Sequence, residues 1–265
     1  MNAELTWLGQ AGFLLEAAGT RVLLDPWDSP YEERLIPRLA PGIAQGVDFV
    51  LVSHEHGDHL DLPAWQQLAD ASPGARFVVA KPLVPMVTEA GIPASRVVGV
   101  QVGQPVELGS ATVTAVPACH GVDVVDGYSL GDPRTPRWVG YVVELGGVRL
   151  YHAGDTLAHP RITRAVAALR PDIALLPING RSAEREQRNV VGNMSPDQAA
   201  RVARDLSVAL AIPIHFDTIR GNTGRPDAFV RAMRRHRPAA SVWVPGYAAG
   251  MVWPAGAAAW HELDA

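Results

Sequence analysis

Residues 52–61 read VSHEHGDHLD. Three histidines and two acids fall within His54–His59, directly after the apolar Val47, Phe49, Val50, Leu51 and Val52. The apolar run predicts a buried strand, and the polar knot sits at its end. Packing explains a single histidine, but not a cluster of imidazoles and carboxylates whose burial without a compensating charge is costly. Such side chains are the donors that take zinc, manganese or iron.

The same arrangement recurs downstream. His120 follows TVTAVPA, Asp155 follows VRLYHAG, and His215 follows ALAIPI. Four predicted strands therefore deliver metal-type ligands at their C-terminal ends, where a rigid sheet fixes loop positions. His54 and His56 lie two apart and can point the same way from extended backbone. Gly57 lets the chain turn and aim Asp58 and His59 elsewhere. One ion could take His54, His56 and His120, a second could take Asp58, His59 and His215, and Asp155 could bridge them. His152, His159, His236 and His261 read as packed or solvated residues, with His152 a possible support for the ligands. Cys119 reads as a buried structural thiol.

The surrounding pattern alternates β-rich runs with helix-like segments. TWLGQAGFLLEAAGTRVLLDP predicts two strands joined at Ala18-Gly19, and GYVVELGGVRLYHAGD a hairpin turning at Gly146-Gly147. LPAWQQLADAS, PRITRAVAALR, SPDQAARVARDL and PDAFVRAMRRH predict helices. Ser195, Pro196 and Gln198 form a capping-box start for the third of these. SVWVPGYAAGMVW predicts a closing hairpin. The hairpins require antiparallel pairs, which disfavours a doubly wound parallel sheet and favours two packed mixed sheets flanked by helices.

The chain has 265 residues, 48% hydrophobic and 19% charged, with a formal net charge of −4. This predicts an ordinary globular protein, with a length that suits one large domain over residues 1–265 or two small ones. No basic field points to nucleic acid, and no apolar run is long enough to span a membrane. One cysteine excludes an internal disulfide. With no signal-peptide pattern at the start, a cytoplasmic location is expected. The apolar C-terminal AAGMVWPAGAAAW reads as packing, against the chain itself or a neighbouring subunit, so a homo-oligomer is possible.

The His-x-His-x-Asp-His pattern of residues 54–59, followed by ACHG, HAGDT and IPIHFD, resembles the metallo-β-lactamase superfamily along essentially the whole chain. The resemblance implies a four-layer αββα sandwich with the site at one edge of the sheets, and it implies the same metal roles for these residues. LPINGRSAEREQRNVVGNMSPDQAA, residues 176–200, is similar to the L-ascorbate-6-phosphate lactonase group. That likeness implies a cytosolic, manganese-dependent enzyme that opens a lactone of a small, anionic, phosphorylated sugar acid. The wider superfamily implies zinc instead. Asp58 would hold the attacking water and accept its proton. Asn179, Arg181 and Asn193 match the lactonase-like motif and are candidates for binding substrate. Arg185, Arg188 and Asn189 are further candidates, although RSAEREQR also reads as a solvated, mixed-charge segment. Competing readings are a phosphodiesterase of the same fold, a di-iron redox enzyme, and a metal-binding scaffold or sensor without turnover. The di-iron case normally joins this domain to a flavin domain, for which no room is expected here.

Overall fold

The computed structural model describes residues 2–132 and 134–254. Its strands form two seven-stranded sheets. The first contains Asn2–Gly9 (β1), Gly12–Ala17 (β2), Thr20–Leu24 (β3), Phe49–Leu51 (β4), Arg76–Ala80 (β5) and Val97–Val100 (β6). The second contains Pro105–Leu108 (β7), Ala111–Pro117 (β8), Val139–Leu145 (β9), Val148–His152 (β10), Ile173–Pro177 (β11), Leu210–Ile214 (β12) and Ser241–Val242 (β13). Gly250–Pro254 (β14) returns to the first sheet, beside β1. Both sheets are mixed, and their orders are β14-β1-β2-β3-β4-β5-β6 and β13-β12-β11-β10-β9-β8-β7.

Tight turns build the antiparallel half of each sheet. Ala18 and Gly19 take φ of 50° and 75°, and Gly146 and Gly147 take 61° and 82°. Paired left-handed residues suit two-residue hairpins, because their twist matches that of the strands. Helices build the parallel halves. Leu62–Ala71 (α1) buries Trp65, Leu68 and Ala69, and Trp65 lies 4.9 Å from Phe77 of β5. Val84–Glu89 (α2) precedes β6. On the second sheet, Pro160–Leu169 (α3) buries Ile162 and Val166, and Pro196–Leu206 (α5) buries Ala199, Val202, Ala203 and Leu206. The short Ala183–Gln187 (α4) lies between them in sequence, and Pro226–His236 (α6) packs beside α5. The expected αββα layering is therefore present.

The capping box forms as predicted: Ser195 accepts from the Gln198 N–H, and Gln198 accepts from that of Ser195. Two expectations need correction. TWLGQAGFLLEAAGTRVLLDP holds three strands, because the chain also reverses at Gln10-Ala11. Ala11 is buried, so this turn lacks the polar residues that normally mark one. SVWVPGYAAGMVW is no hairpin, since β13 pairs parallel with β12 and β14 pairs antiparallel with β1 of the other sheet. The described part of the apolar C-terminal segment thus packs on its own chain, burying Met251 and Trp253. His261 and residues 255–265 lie outside the described residues. No described helix is long and apolar enough to cross a membrane.

Asp197 ties α5 to α6, accepting from His236 at 2.9 Å and Arg235 at 3.2 Å. The His236 hydrogen bond, helped by Arg235 and Arg201, holds the Asp197 carboxyl below its ordinary range. A lowered folded-state pKa stabilises the fold above the unfolded value of about 3.9 and is lost as pH falls through the folded value. Asp197→Asn should therefore cost roughly 0.5 kcal/mol near pH 7, the scale of an exposed pair. Denaturant melts at descending pH should show this difference closing below about pH 4.

Candidate metal centre

The ligand-type residues meet at one edge of the sandwich. The first sheet brings His54, His56, Asp58 and His59 after β4, and the second brings His120 after β8, Asp155 after β10 and His215 after β12. Two sets of donors result: His54, His56, His120 and Asp155 in one, and Asp58, His59 and His215 in the other. Within each set the donor atoms lie within 4.8 Å of one another. Asp155 faces both sets, with one oxygen 3.4 Å from His59 Nε2 and the other 3.4 Å from His215 Nε2 and 3.9 Å from His120 Nε2. Asp58 Oδ2 lies 3.4 Å from His215 Nε2 and 3.8 Å from His59 Nε2.

Hydrogen bonds on the far side of each ring determine which nitrogen is left for an ion. His54 Nδ1 donates to Ser53 Oγ at 2.9 Å, freeing Nε2. His59 Nδ1 donates to Asp25 Oδ2 at 2.7 Å, and its buried Nε2 has no hydrogen-bond partner. His56 is reversed: Nε2 donates to the Val122 carbonyl at 2.8 Å, so Nδ1 turns inward. There it lies 3.0 Å from His54 Nε2 and 3.2 Å from His120 Nε2. Both spacings between these ring nitrogens match the edges of a coordination shell with metal–nitrogen distances of about 2.1 Å. Without a shared cation their lone pairs would repel. The Asp155 Oδ1 is likewise buried without a hydrogen bond. These residues fit a metal ion.

The electrostatics agree. Burial, reinforced by His59, His56 and His120, pushes His54 well below the ordinary imidazole value. Burial brings His120 down to about 3, against the pull of Asp155. Both rings are therefore neutral and able to donate. Burial alone would also lower His59, but Asp155, Asp58 and Asp25 outweigh it and hold its pKa well above the ordinary value. Burial opposes ionisation of Asp155, yet His215, His59 and His120 keep it well below the usual carboxylate range. Anionic oxygens and imidazole lone pairs thus face one small volume.

Beneath the ligands lies a support that sequence reading missed. Asp25, directly after β3, is 1% exposed, with φ of 41°. It accepts from Ser53 N, Ser53 Oγ and His59 Nδ1 at 2.7, 2.6 and 2.7 Å. Burial disfavours its charge, but His152 and His59 more than compensate and lower its pKa. His152 supports the site as expected, donating to the Ala11 carbonyl at 2.8 Å and accepting from the Gly154 N–H at 3.0 Å. Glu55 points elsewhere, to Arg137 at 2.5 Å. His159 caps α3 and His236 pairs with Asp197. The Cys119 thiol contacts the Tyr128 carbonyl and belongs to neither donor set.

A cavity of about 450 Å³ opens over the cluster. His56, Asp58, Asp155 and His215 line it, together with Tyr31, Glu33, Ile219 and Arg220 and a wall of Arg188, Asn189, Val190 and Val191. Asn179, Arg181 and Asn193 do not line it. Asn179 stands behind the wall and donates to Asn222 at 2.9 Å. Arg181 pairs with Glu186 at 3.1 Å and stacks 4.2 Å above Tyr128. Asn193 is 1% exposed, turned into the protein. Arg185 braces the wall through the carbonyls of Asn179 and Thr223. Of these candidates, Arg188 and Asn189 face the cavity.

Asp25 orients a ligand without touching the ion position itself. Asp25→Asn should lower divalent-ion affinity by about 10- to 100-fold while leaving the donor set intact. Competition against a chromophoric chelator measures this directly, and unchanged affinity would remove Asp25 from the support.

Comparison with known proteins follows the same line. Residues 20–216 match the family described as the beta-lactamase superfamily domain. A UPF0173 metal-dependent hydrolase of Myxococcus xanthus is 32% identical over 253 residues, covering 92% of this chain and 81% of the relative. Igni18, a metallo hydrolase from Ignicoccus hospitalis, shares the fold with a TM-score of 0.76 at 21% identity, covering 96% of this chain and 99% of its own. CmlA, a diiron β-hydroxylase from Streptomyces venezuelae, gives 0.70 at 18% identity, covering 94% of this chain and 53% of its own. These two likenesses speak to fold alone. The family match and the identity with the M. xanthus relative go further: the chain belongs to the β-lactamase superfamily and, within it, to the UPF0173 metal-dependent hydrolases.

Proposed function

We propose that this chain hydrolyses a lactone or ester bond in a small anionic substrate, using two divalent ions, with manganese as the ion and zinc as the alternative. One ion is assigned to His54, His56 and His120, the other to Asp58, His59 and His215, with Asp155 between them. The observation that carries the reading is that the cavity floor consists of the donors themselves: His56, Asp58, Asp155 and His215. A volume near 450 Å³ suits a small molecule rather than a polymer. Imidazole and carboxylate donors without a thiolate accept manganese or zinc.

When bound, such ions polarise the substrate carbonyl and make water acidic enough to attack near neutral pH. The protein supplies position and proton traffic. Asp58 is half-buried on the floor, where its carboxylate can orient a water and receive its proton. His59 and His215 hold their Nε2 atoms 3.8 and 3.4 Å from Asp58 Oδ2, close enough for the three to share one ion. Arg188 supports the choice of an anion. Glu33 neutralises Arg220 at 3.2 Å, whereas Arg188 has no side-chain carboxylate partner among the described residues. A guanidinium on the wall of an open cavity favours phosphate or carboxylate, which its planar fork can bind with two hydrogen bonds. L-ascorbate 6-phosphate, the substrate that the likeness of residues 176–200 implies, is the first to try, although Arg188 and not Asn179, Arg181 or Asn193 faces the cavity.

The manganese-loaded protein should turn over L-ascorbate 6-phosphate, and Asp58→Ala should lower kcat by at least about 100-fold. Arg188→Ala should raise KM for phosphorylated substrates by about tenfold, while a neutral lactone is unaffected. Rates for both substrates over a concentration series separate these effects. No turnover of any lactone or ester would refute the activity, and a partner bound equally by wild type and Asp58→Ala would favour a scaffold.

A further inference from the structure

Gln10 is a buried polar residue for which the apolar run TWLGQAGF gives no reason. It sits in the turn between β1 and β2 with φ of 52°, and it is 1% exposed. Its backbone is clamped from both sides. The N–H donates to Thr218 Oγ1 at 2.6 Å, and the carbonyl accepts from the His215 N–H at 2.9 Å. His215 is itself left-handed at φ of 58°. These two unusual backbones therefore brace each other, so the Gln10 side chain has a fixed starting point beside the ligands.

Its amide head enters the second donor set. Nε2 lies 2.5 Å from Asp58 Oδ2 and 2.9 Å from His215 Nε2. Those two atoms are 3.4 Å apart, and His215 Nε2 is 3.4 Å from Asp155 Oδ2. Ligand atoms around one ion at about 2.1 Å stand roughly 3 Å from each other. The amide head thus stands at the spacing of another ligand. The other amide atom, Oε1, is buried with no hydrogen-bond partner.

As it stands, the amide NH₂ points its hydrogens at the lone pairs of Asp58 and His215. A cation held by Asp58, His59 and His215 draws those same lone pairs, and it repels an NH₂ group. A half-turn about the last side-chain bond resolves the conflict within the same volume, because amide oxygen and nitrogen are nearly identical in size. The oxygen then faces the cation, and the nitrogen moves to the place where the oxygen had no partner. We propose that Gln10 is a further ligand of the second ion, joining Asp58, His59 and His215 through its amide oxygen. The inference rests on the two-ion reading above. A neutral, hard oxygen adds a donor without adding charge and suits manganese.

The test is titration of the chelator-stripped full-length protein with Mn²⁺, following the free ion by electron paramagnetic resonance. Wild type, Gln10→Leu and Gln10→Glu are compared, and first-ion binding reports on folding. Wild type should take two ions. Gln10→Leu should keep the first ion and bind the second at least about tenfold more weakly. Gln10→Glu, which retains an oxygen at the same reach, should bind both. A leucine variant that takes the second ion as tightly as wild type overturns the proposal. So does equal loss in both variants, because the glutamate keeps an oxygen at the same reach. A wild-type protein that takes a single ion instead overturns the two-ion reading itself, independently of either variant.

Discussion

Converging lone pairs are the constraint on which this structure depends. His54 Nε2 and His120 Nε2 lie 3.0 and 3.2 Å from His56 Nδ1, and the Asp155 oxygens reach from this group to His59 and His215. Burial makes charge expensive, so the rings either stay neutral or depend on a carboxylate. His54 and His120 take the first course, His59 the second. A cation resolves both halves at once: neutral rings lend it lone pairs, and the anionic oxygens balance its charge. The hydrogen bonds from His54, His56 and His59 to Ser53, Val122 and Asp25 are preconditions, because each turns the correct nitrogen inward.

The two sheets must be held in a fixed relation for this to work, since each contributes only part of the donor set. The ties lie directly under the ligand loop. The Tyr141 hydroxyl on β9 donates to the Val52 carbonyl at 2.8 Å, and the Val139 N–H donates to the Ser53 carbonyl at 3.0 Å. Gly154, just before Asp155, crosses so close to Ser53 that a Cβ there would stand 2.6 Å from the serine Cβ. Its φ of 57° adds a second reason for glycine. The approach that brings Asp155 between the two donor sets therefore depends on the absence of a side chain at residue 154.

The metal-type residues were legible because they obey one rule: a polar donor ends an apolar strand. His54–His59, His120, Asp155 and His215 all follow it, and they meet in space. Asp25 obeys it too, at the end of RVLLD, but its partners Ser53 and His59 lie 28 and 34 residues away in sequence, and no local pattern names them. Gln10 was hidden for a different reason. Its turn is closed by backbone conformation and by contacts with His215 and Thr218, about 200 residues away in sequence, and no local pattern encodes these. The final segment misled because strand pairing across sheets is a tertiary choice: local alternation shows a strand but not its partner. The substrate candidates were harder still. Arg181 and Arg188 are equivalent in a polar run, and only the position of Tyr128 and Glu186 draws one away and leaves the other facing the cavity.

The cavity wall and the ligand cluster share a frame, which links recognition to chemistry. Asn189 accepts from the Val124 N–H at 2.9 Å and donates to Asp123, so the wall is fastened to the turn at 122–126. That turn holds His56 through the Val122 carbonyl. Tyr128 adds a second fastening, accepting from the Gly192 N–H at 3.0 Å and donating to Glu186 at 2.9 Å. A shift of the wall that carries Arg188 would thus move the acceptor that orients His56. The wall that carries Arg188 and the donor atom of His56 are positioned by one connected set of hydrogen bonds, which keeps the geometry of wall and floor in register.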